Sequence, residues 1–321
     1  MTNSKPYVIG IDMGGTNTVF GVVDARGVVL ASESIKTGKH SQFSDYIDEL
    51  TTEINRLIDS LGVRGKIYGI GAGAPNANFF TGMIEDGVNL PWPTPIPFAR
   101  LLSEKMGVPV AITNDANAAA IGEMTYGAAR GLKDFIMITL GTGVGSGIVV
   151  NGQLVYGHDG FAGELGHVIV KRKNGRLCGC GRTGCLETYC SATGVARTAR
   201  EFLEITDTPS SLRNLQIEDI TSKDVYDAAM AGDKLAKSVF DYTGEILGEA
   251  LADFTVFSAP EAFVLFGGLA KSGELLLKPL RESMEKNMLS IWKGKVKVVL
   301  SELKEADAAV LGASALGWEA K

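Results

Sequence analysis

Residues 10–30 read GIDMGGTNTVFGVVDARGVVL, and residues 138–155 read ITLGTGVGSGIVVNGQLV. Each runs an apolar strand into a glycine turn, leaves it as a second strand, turns again and returns as a third. The first copy places strands at Tyr7–Ile11, Val19–Val23 and Val28–Ala31, with its hairpin at Asp24–Gly27. The second places them at Phe135–Leu140, Ser146–Asn151 and Gln153–Tyr156. The first glycine turn is not a Walker loop, since no Gly-Lys-Ser/Thr follows. Nor does a helix open behind it, as in a dinucleotide-binding turn. Two copies of one layout about 130 residues apart predict a duplicated domain with a cleft between its halves. Unrelated glycine-rich hairpins are the alternative.

Outward from these copies, Phe43–Leu61 carries Phe43, Tyr46, Ile47, Leu50, Ile54, Leu57 and Ile58 on one helical face. Ile67–Ala72 reads as a buried strand, followed by a proline-rich loop from Asn89, a helix at Phe98–Met106 and a strand at Val110–Thr113. Asn114-Asp115 opens an alanine-rich helix to about Tyr126. Beyond residue 190, helices are expected at Ser191–Glu204, Ser222–Met230, Asp233–Phe257, Glu274–Met288 and Asp307–Trp318. A polar connector spans Ser210–Glu218, and strands fall at Ala262–Phe266 and Val296–Leu300. Strands and helices that keep alternating, with glycines ending the strands, make an α/β fold. The expected division is a smaller lobe of residues 1–113 plus about 304–321, and a larger lobe of 114–303.

A chain of 321 residues is long for one core and points to two domains. It is 45% hydrophobic and 21% charged, an ordinary globular composition. A net charge of −6 and a pI near 5.3 give no basic surface for nucleic acid or an anionic membrane. No stretch resembles a signal peptide and no apolar run is long enough to span a bilayer, so the cytoplasm is the expected compartment. The 40 glycines stand well above the usual share of about 7% and cluster in turns after strands, where backbone can approach a ligand closely.

Residues 163–187, GELGHVIVKRKNGRLCGCGRTGCLE, hold three of the four cysteines. His167, Cys178, Cys180 and Cys185 are spaced H-x10-C-x-C-x4-C, an imidazole and three thiolates suited to a tetrahedral structural zinc. Cys190 fits no ligand spacing and reads as a small buried apolar side chain. His40 and His158 read as surface residues without partners. Asp12–Thr16 and Gly141–Gly145 are turns whose successive amides could cradle an anion. Asp12 would repel phosphate unless a cation intervened, so it is read as orienting hydrated Mg²⁺. Asn114-Asp115 reads as a helix cap, as a proton acceptor for an attacking hydroxyl, or as both. Glu164 and Glu187, flanking the zinc loop, are either solvated or paired to the hydroxyls of a polyhydroxylated ligand, as is Asn89.

Six motifs occur in order: Asp12-x-Gly-Gly-Thr16, Asn114-Asp-Ala-Asn-Ala-Ala, Leu140-Gly-Thr-Gly-Val-Gly145, Gly163-Glu-Leu-Gly-His167, Cys178-Gly-Cys-Gly-x-x-Gly-Cys-Leu-Glu187 and Phe266-Gly-Gly268. In this the chain resembles the ROK family of bacterial sugar kinases and repressors, most closely its glucokinases, over nearly its whole length. The resemblance implies an actin-like, hexokinase-type (ribonuclease H-like) fold of two lobes closing on ATP and a hexose. It implies Asp115 as the base for the sugar 6-hydroxyl, with Asn89, Asn114, Glu164, His167 and Glu187 holding the sugar. Asp12, Gly14, Gly15, Thr16, Thr142 and Gly143 would cradle phosphates, Gly267 and Gly268 would lie against the nucleotide, and the assembly would be a homodimer or homotetramer. Asn76 departs from the glycine that many glucokinases carry there. Only six residues precede the first strand, so the DNA-binding module of the family's repressors is not expected. Glucose is the expected substrate. Fructose, N-acetylmannosamine and N-acetylglucosamine are the alternatives within the family, and a non-catalytic sugar sensor is the alternative outside enzymes.

Overall fold

A computed structural model describes residues 5–86, 90–303 and 305–320. In chain order the elements are β1 (Tyr7–Met13), β2 (Asn17–Asp24), β3 (Val29–Lys36), α1 (Phe43–Ser60), β4 (Ile67–Gly73), α2 (Phe98–Met106), β5 (Val110–Thr113) and α3 (Asp115–Tyr126). Then come β6 (Phe135–Leu140), β7 (Val144–Val150), β8 (Gln153–Leu154), α4 (Glu187–Cys190), α5 (Ala192–Ile205), α6 (Ser222–Met230) and α7 (Lys234–Ser258). The last are β9 (Ala262–Phe266), α8 (Glu274–Asn287), β10 (Lys297–Leu300) and α9 (Glu305–Gly317).

Two five-stranded sheets result, ordered β3-β2-β1-β4-β5 and β8-β7-β6-β9-β10. In each order the three meander strands come first and two later strands extend the sheet, so the duplication reaches past the glycine hairpins. In the first sheet β1–β2 and β2–β3 are antiparallel, while β1–β4 and β4–β5 are parallel. In the second, β7–β8 is antiparallel and β9 runs parallel to both β6 and β10. Strands placed inside such a mixed sheet are covered on both faces, and Val8, Ile11, Phe135 and Phe263 are all buried. The third strand of the second meander is two residues long, shorter than the Gln153–Tyr156 expected. The polar connector contains two single 3₁₀ turns, Ser211–Asn214 and Ile217–Asp219.

The helices begin where their caps dictate. Thr221 and Asp224 form a reciprocal capping box at α6, and the Asp233 carboxylate accepts the Ala236 amide at the start of α7. The stripe on α1 is buried as its spacing requires, with Tyr46, Ile47, Leu50, Ile54, Leu57 and Ile58 in the core of the first sheet. Each such side chain contributes about 1.5–3 kcal/mol by leaving water.

Contacts divide the chain into two compact units, Met1–Leu132 with Gly147–Gly163 and Ser301–Lys321, and Lys133–Ser146 with Glu164–Leu300. This differs from the expected boundary at 113/114, because α3 belongs to the first unit. Its partner there is α9: a Cβ on Gly122 of α3 would sit 2.6 Å from Gly312 Cα. Helix α9 also lies directly on the first sheet, where a Cβ on Gly71 would sit 1.9 Å from the Ala313 carbonyl oxygen. Among the described residues, no helix is long and apolar enough to cross a membrane.

Candidate active site

In the first unit, Asp12 stands next to last in β1 and pairs across the sheet with Gly73, the last residue of β4. The chain turns through Gly14, Gly15 and Thr16, with the Gly14 amide donating to Asn17 O at 3.0 Å. Gly15 and Thr16 are exposed. Asn114 caps α3, its Oδ1 accepting the Ala116 amide at 2.8 Å, and Asp115 Oδ1 shares that donor at 2.8 Å. Gly73 marks how near the two acids lie: a Cβ there would be 3.4 Å from Asp115 Cα and 3.9 Å from Asp12 Oδ1.

Burial pushes the Asp12 carboxyl up to about 6, and the charge of Asp115 adds to the rise. Asp115 opens to solvent at its surface yet is packed round by protein, and that desolvation raises its carboxyl too, against the lowering pull of the Ala116 amide. Two neighbouring acids whose ionised forms are both disfavoured are suited to accepting a proton or binding a cation.

In the second unit, β6 runs into the turn Gly141-Thr142-Gly143, closed by the Gly141 amide on Gly143 O at 3.0 Å. The start of α5 braces this turn: Ala192 N–H donates to Gly141 O at 2.8 Å, and Thr193 Oγ1 to Thr142 O at 2.9 Å. Glu187, opening α4, accepts the Val144 amide on Oε2 at 3.0 Å. Exposed Glu164 precedes the 3₁₀ turn Leu165–His167, which is tied to the same strand by the Leu165 amide on Ser146 Oγ at 3.1 Å. Gly267 takes a φ of +104° after β9, and Leu269 N–H donates to Leu140 O at 3.2 Å. Thr142, Gly143, Glu164, His167, Glu187, Gly267 and Gly268 therefore gather around the ends of β6 and β9 and the start of β7. Asn89, the remaining expected sugar contact, lies outside the described residues.

The ligand atoms of His167, Cys178, Cys180 and Cys185 all lie within 4.8 Å of one another. Cys178 Sγ is 3.7 Å from His167 Nδ1, and Cys180 Sγ is 3.7 Å from Cys185 Sγ. Tetrahedral zinc at ordinary bond lengths sets S···S edges of about 3.8 Å and S···N edges of about 3.6 Å. The donor set fits zinc. Burial pushes the Cys178 thiol up to about 12, so a cation is what would make it a thiolate. Cys190 is fully buried, with its Sγ on Thr243 O at 3.6 Å.

Three features escaped the sequence. Arg176, 6% exposed, bolts the zinc loop to α5: its guanidinium donates to both Glu201 oxygens, to Thr198 Oγ1 at 2.9 Å and to Thr188 O at 2.7 Å, and lies 4.5 Å from the Tyr189 ring centroid. Its only signal was one basic residue in a basic loop. A cavity of about 320 Å³ opens beside Gly268, lined by Tyr226, Phe240, Lys271 and Ser272 from elements far apart in sequence. His40, expected to be unpartnered, places Nε2 2.6 Å from Glu49 Oε2. That pair is made across a loop and a helix nine residues apart, a separation with no local signature.

A family model described as "ROK family" matches residues 8–320. The chain is 39% identical to a glucokinase of Halalkalibacterium halodurans over 293 residues, 88% of this chain and 86% of that one. It is 33% identical to a glucokinase of Thermotoga maritima, covering 97% of both. Its structure resembles that of a ROK family glucokinase from Streptomyces griseus in complex with glucose and AMPPNP, at a TM-score of 0.79 and 32% identity, over 98% of this chain and 99% of that one. The chain belongs to the ROK family.

Proposed function

We propose that the protein transfers the γ-phosphoryl group of ATP to the 6-hydroxyl of a hexose, with glucose as its substrate. The observation that carries this is Asp115: an acid open to solvent at the head of α3, with its carboxyl raised, in a chain similar to glucokinases across its length. A base should hold a proton loosely enough to release it and firmly enough to take it, and a raised carboxyl approaches that balance at neutral pH. Asp115 would take the proton of the 6-hydroxyl as that oxygen attacks. Asn89, Asn114, Glu164, His167 and Glu187 would bind the other hydroxyls and fix which oxygen faces Asp115. Gly14, Gly15, Thr16, Thr142 and Gly143 would hold phosphate oxygens on amides and hydroxyls. The adenosine would enter the cavity beside Gly268, between Tyr226 and Lys271. Asp12 would hold hydrated Mg²⁺, which supplies charge to the transferring phosphoryl group. Zinc on His167, Cys178, Cys180 and Cys185 would be structural, leaving no open position for chemistry.

The retained acid favours an enzyme over a non-catalytic sugar sensor. An ATP-coupled assay over glucose, mannose, fructose, N-acetylglucosamine and N-acetylmannosamine tests the reading. Glucose should show the highest kcat/KM. Turnover of another sugar with glucose silent would overturn the substrate assignment, and no turnover with any would overturn the activity.

A further inference from the structure

Behind the Asp12–Thr16 turn lies a chain of three hydroxyls. Thr37 Oγ1 donates to Gly14 O at 2.7 Å, Thr18 Oγ1 is 3.0 Å from Thr37 Oγ1, and Tyr46 Oη is 2.7 Å from Thr18 Oγ1. All three residues are completely buried. The direction of the chain follows from counting protons, because each hydroxyl has one to give. A carbonyl can only accept, so Thr37 spends its proton on Gly14. Thr37 must then accept from Thr18, and Thr18 from Tyr46. The tyrosine is thus the fixed source and the glycine peptide the fixed sink.

The sink matters because of peptide geometry. In a trans peptide the carbonyl of one residue and the N–H of the next point opposite ways. Drawing Gly14 C=O inward therefore turns the Gly15 N–H outward, onto the exposed side of the turn. Two successive glycines have little steric preference of their own and could flip this peptide at small cost. Thr37 holds the turn at a second point as well, its own amide donating to Thr16 O at 3.0 Å. The far end of the chain is rigid: the Tyr46 ring lies 4.5 Å from that of Trp92, whose Nε1 donates to His40 O at 3.0 Å.

We propose that Thr37, backed by Thr18 and Tyr46, is a positioning residue of the nucleotide site: it holds the Gly14–Gly15 peptide in the orientation that offers the Gly15 N–H to a phosphate. This rests on the kinase reading above. No hydroxyl of the three touches substrate; each acts through the backbone.

The test compares Thr37→Val, which keeps shape and removes the hydroxyl, with Thr37→Ser, which keeps the hydroxyl, reading KM for ATP and KM for glucose separately. Loss of one oriented hydrogen bond predicts a rise of about tenfold in KM for ATP for Thr37→Val, with KM for glucose within about twofold and Thr37→Ser close to wild type. Thr18→Val, one link back, should give a smaller rise of about threefold, and it serves as the readout should Thr37→Val not fold. An unchanged KM for ATP in a folded hydroxyl-free variant, or equal losses for both substrates, would overturn the brace alone. A wild-type protein that phosphorylates no hexose would overturn the kinase reading and the phosphate role together.

Discussion

A Cβ on Gly143 would lie 2.3 Å from Glu187 Oε2, the same oxygen that accepts the Val144 amide at 3.0 Å. The turn assigned to phosphate and the acid assigned to sugar are therefore in contact, and only a residue without a side chain permits it. Gly143→Ala must push the carboxylate away and break its hydrogen bond to Val144. We expect this variant to fold and to bind glucose, without nucleotide, about 10–100-fold more weakly, the range for losing a hydrogen bond to a charged group. Calorimetric titration with glucose measures it.

The fold itself is tested at Gly71, where a Cβ would stand 1.9 Å from the Ala313 carbonyl oxygen. Backbone cannot yield there without lifting α9 from the sheet. Gly71→Ala should cost at least about 1–3 kcal/mol, the usual range for overpacking, and lower Tm clearly. A melting curve unchanged from wild type would contradict the close approach of α9.

Much of this was legible locally. The glycine hairpins, the α1 stripe, the cap at Asn114 and the zinc ligands are all written within windows of some twenty-five residues, where period and spacing can speak. Contacts between residues remote in sequence left no such mark. Gly71 reads as one more glycine in a strand until Ala313 is seen above it. The parallel additions β9 and β10 match β4 and β5, yet their sequences share no glycine signature with them. Arg176 carries no local mark of its role because its partners, Glu201 and Thr198, lie on a helix more than twenty residues on. The burial that raises Asp12 and Asp115, and the pairing that sets the charge of Asp115 beside Asp12, depend on strands meeting, which no single motif states.

That pairing has a consequence for stability. The Asp12 carboxyl sits at about 6 in the folded chain against 3.8 unpaired and exposed, so the folded state holds its proton the more tightly. Its contribution is then most favourable below the unfolded value and is lost as pH rises through about 6. Asp12→Asn, free of this cost, should be more stable than wild type at pH 7–8 by up to about 3 kcal/mol. The advantage should shrink toward pH 4. Melting temperatures of both proteins in chelator across that range decide the sign, and a variant less stable at pH 8 than wild type would contradict it.

Activity should follow the same acids. A base works only when ionised, so kcat/KM should fall with falling pH from a limb displaced upward of an ordinary aspartate. The cause is the desolvation of Asp115, which outweighs the lowering pull of the Ala116 amide. A pH–rate profile flat down to pH 4 would contradict the burial described.

Zinc removal should act on sugar before it acts on fold. The loop hangs from a unit with its own core and is also held by Arg176, so a chelated protein should keep its far-UV circular dichroism. It should lose glucose affinity, because His167 and Glu187 depend on the loop. Cys180→Ser should lower zinc from one equivalent and raise KM for glucose. Fully active protein without zinc would remove the metal from the account.

The most direct measurement is turnover and glucose binding in Asp115→Asn. The substitution keeps the shape and the shared contact at the head of α3 and removes the proton acceptor. The account predicts a kcat reduced by about 10²–10⁴, the contribution of a positioned base, with glucose affinity within a few fold of wild type. A kcat near wild type would show that the proton leaves by another route, and Asp115 would not be the base.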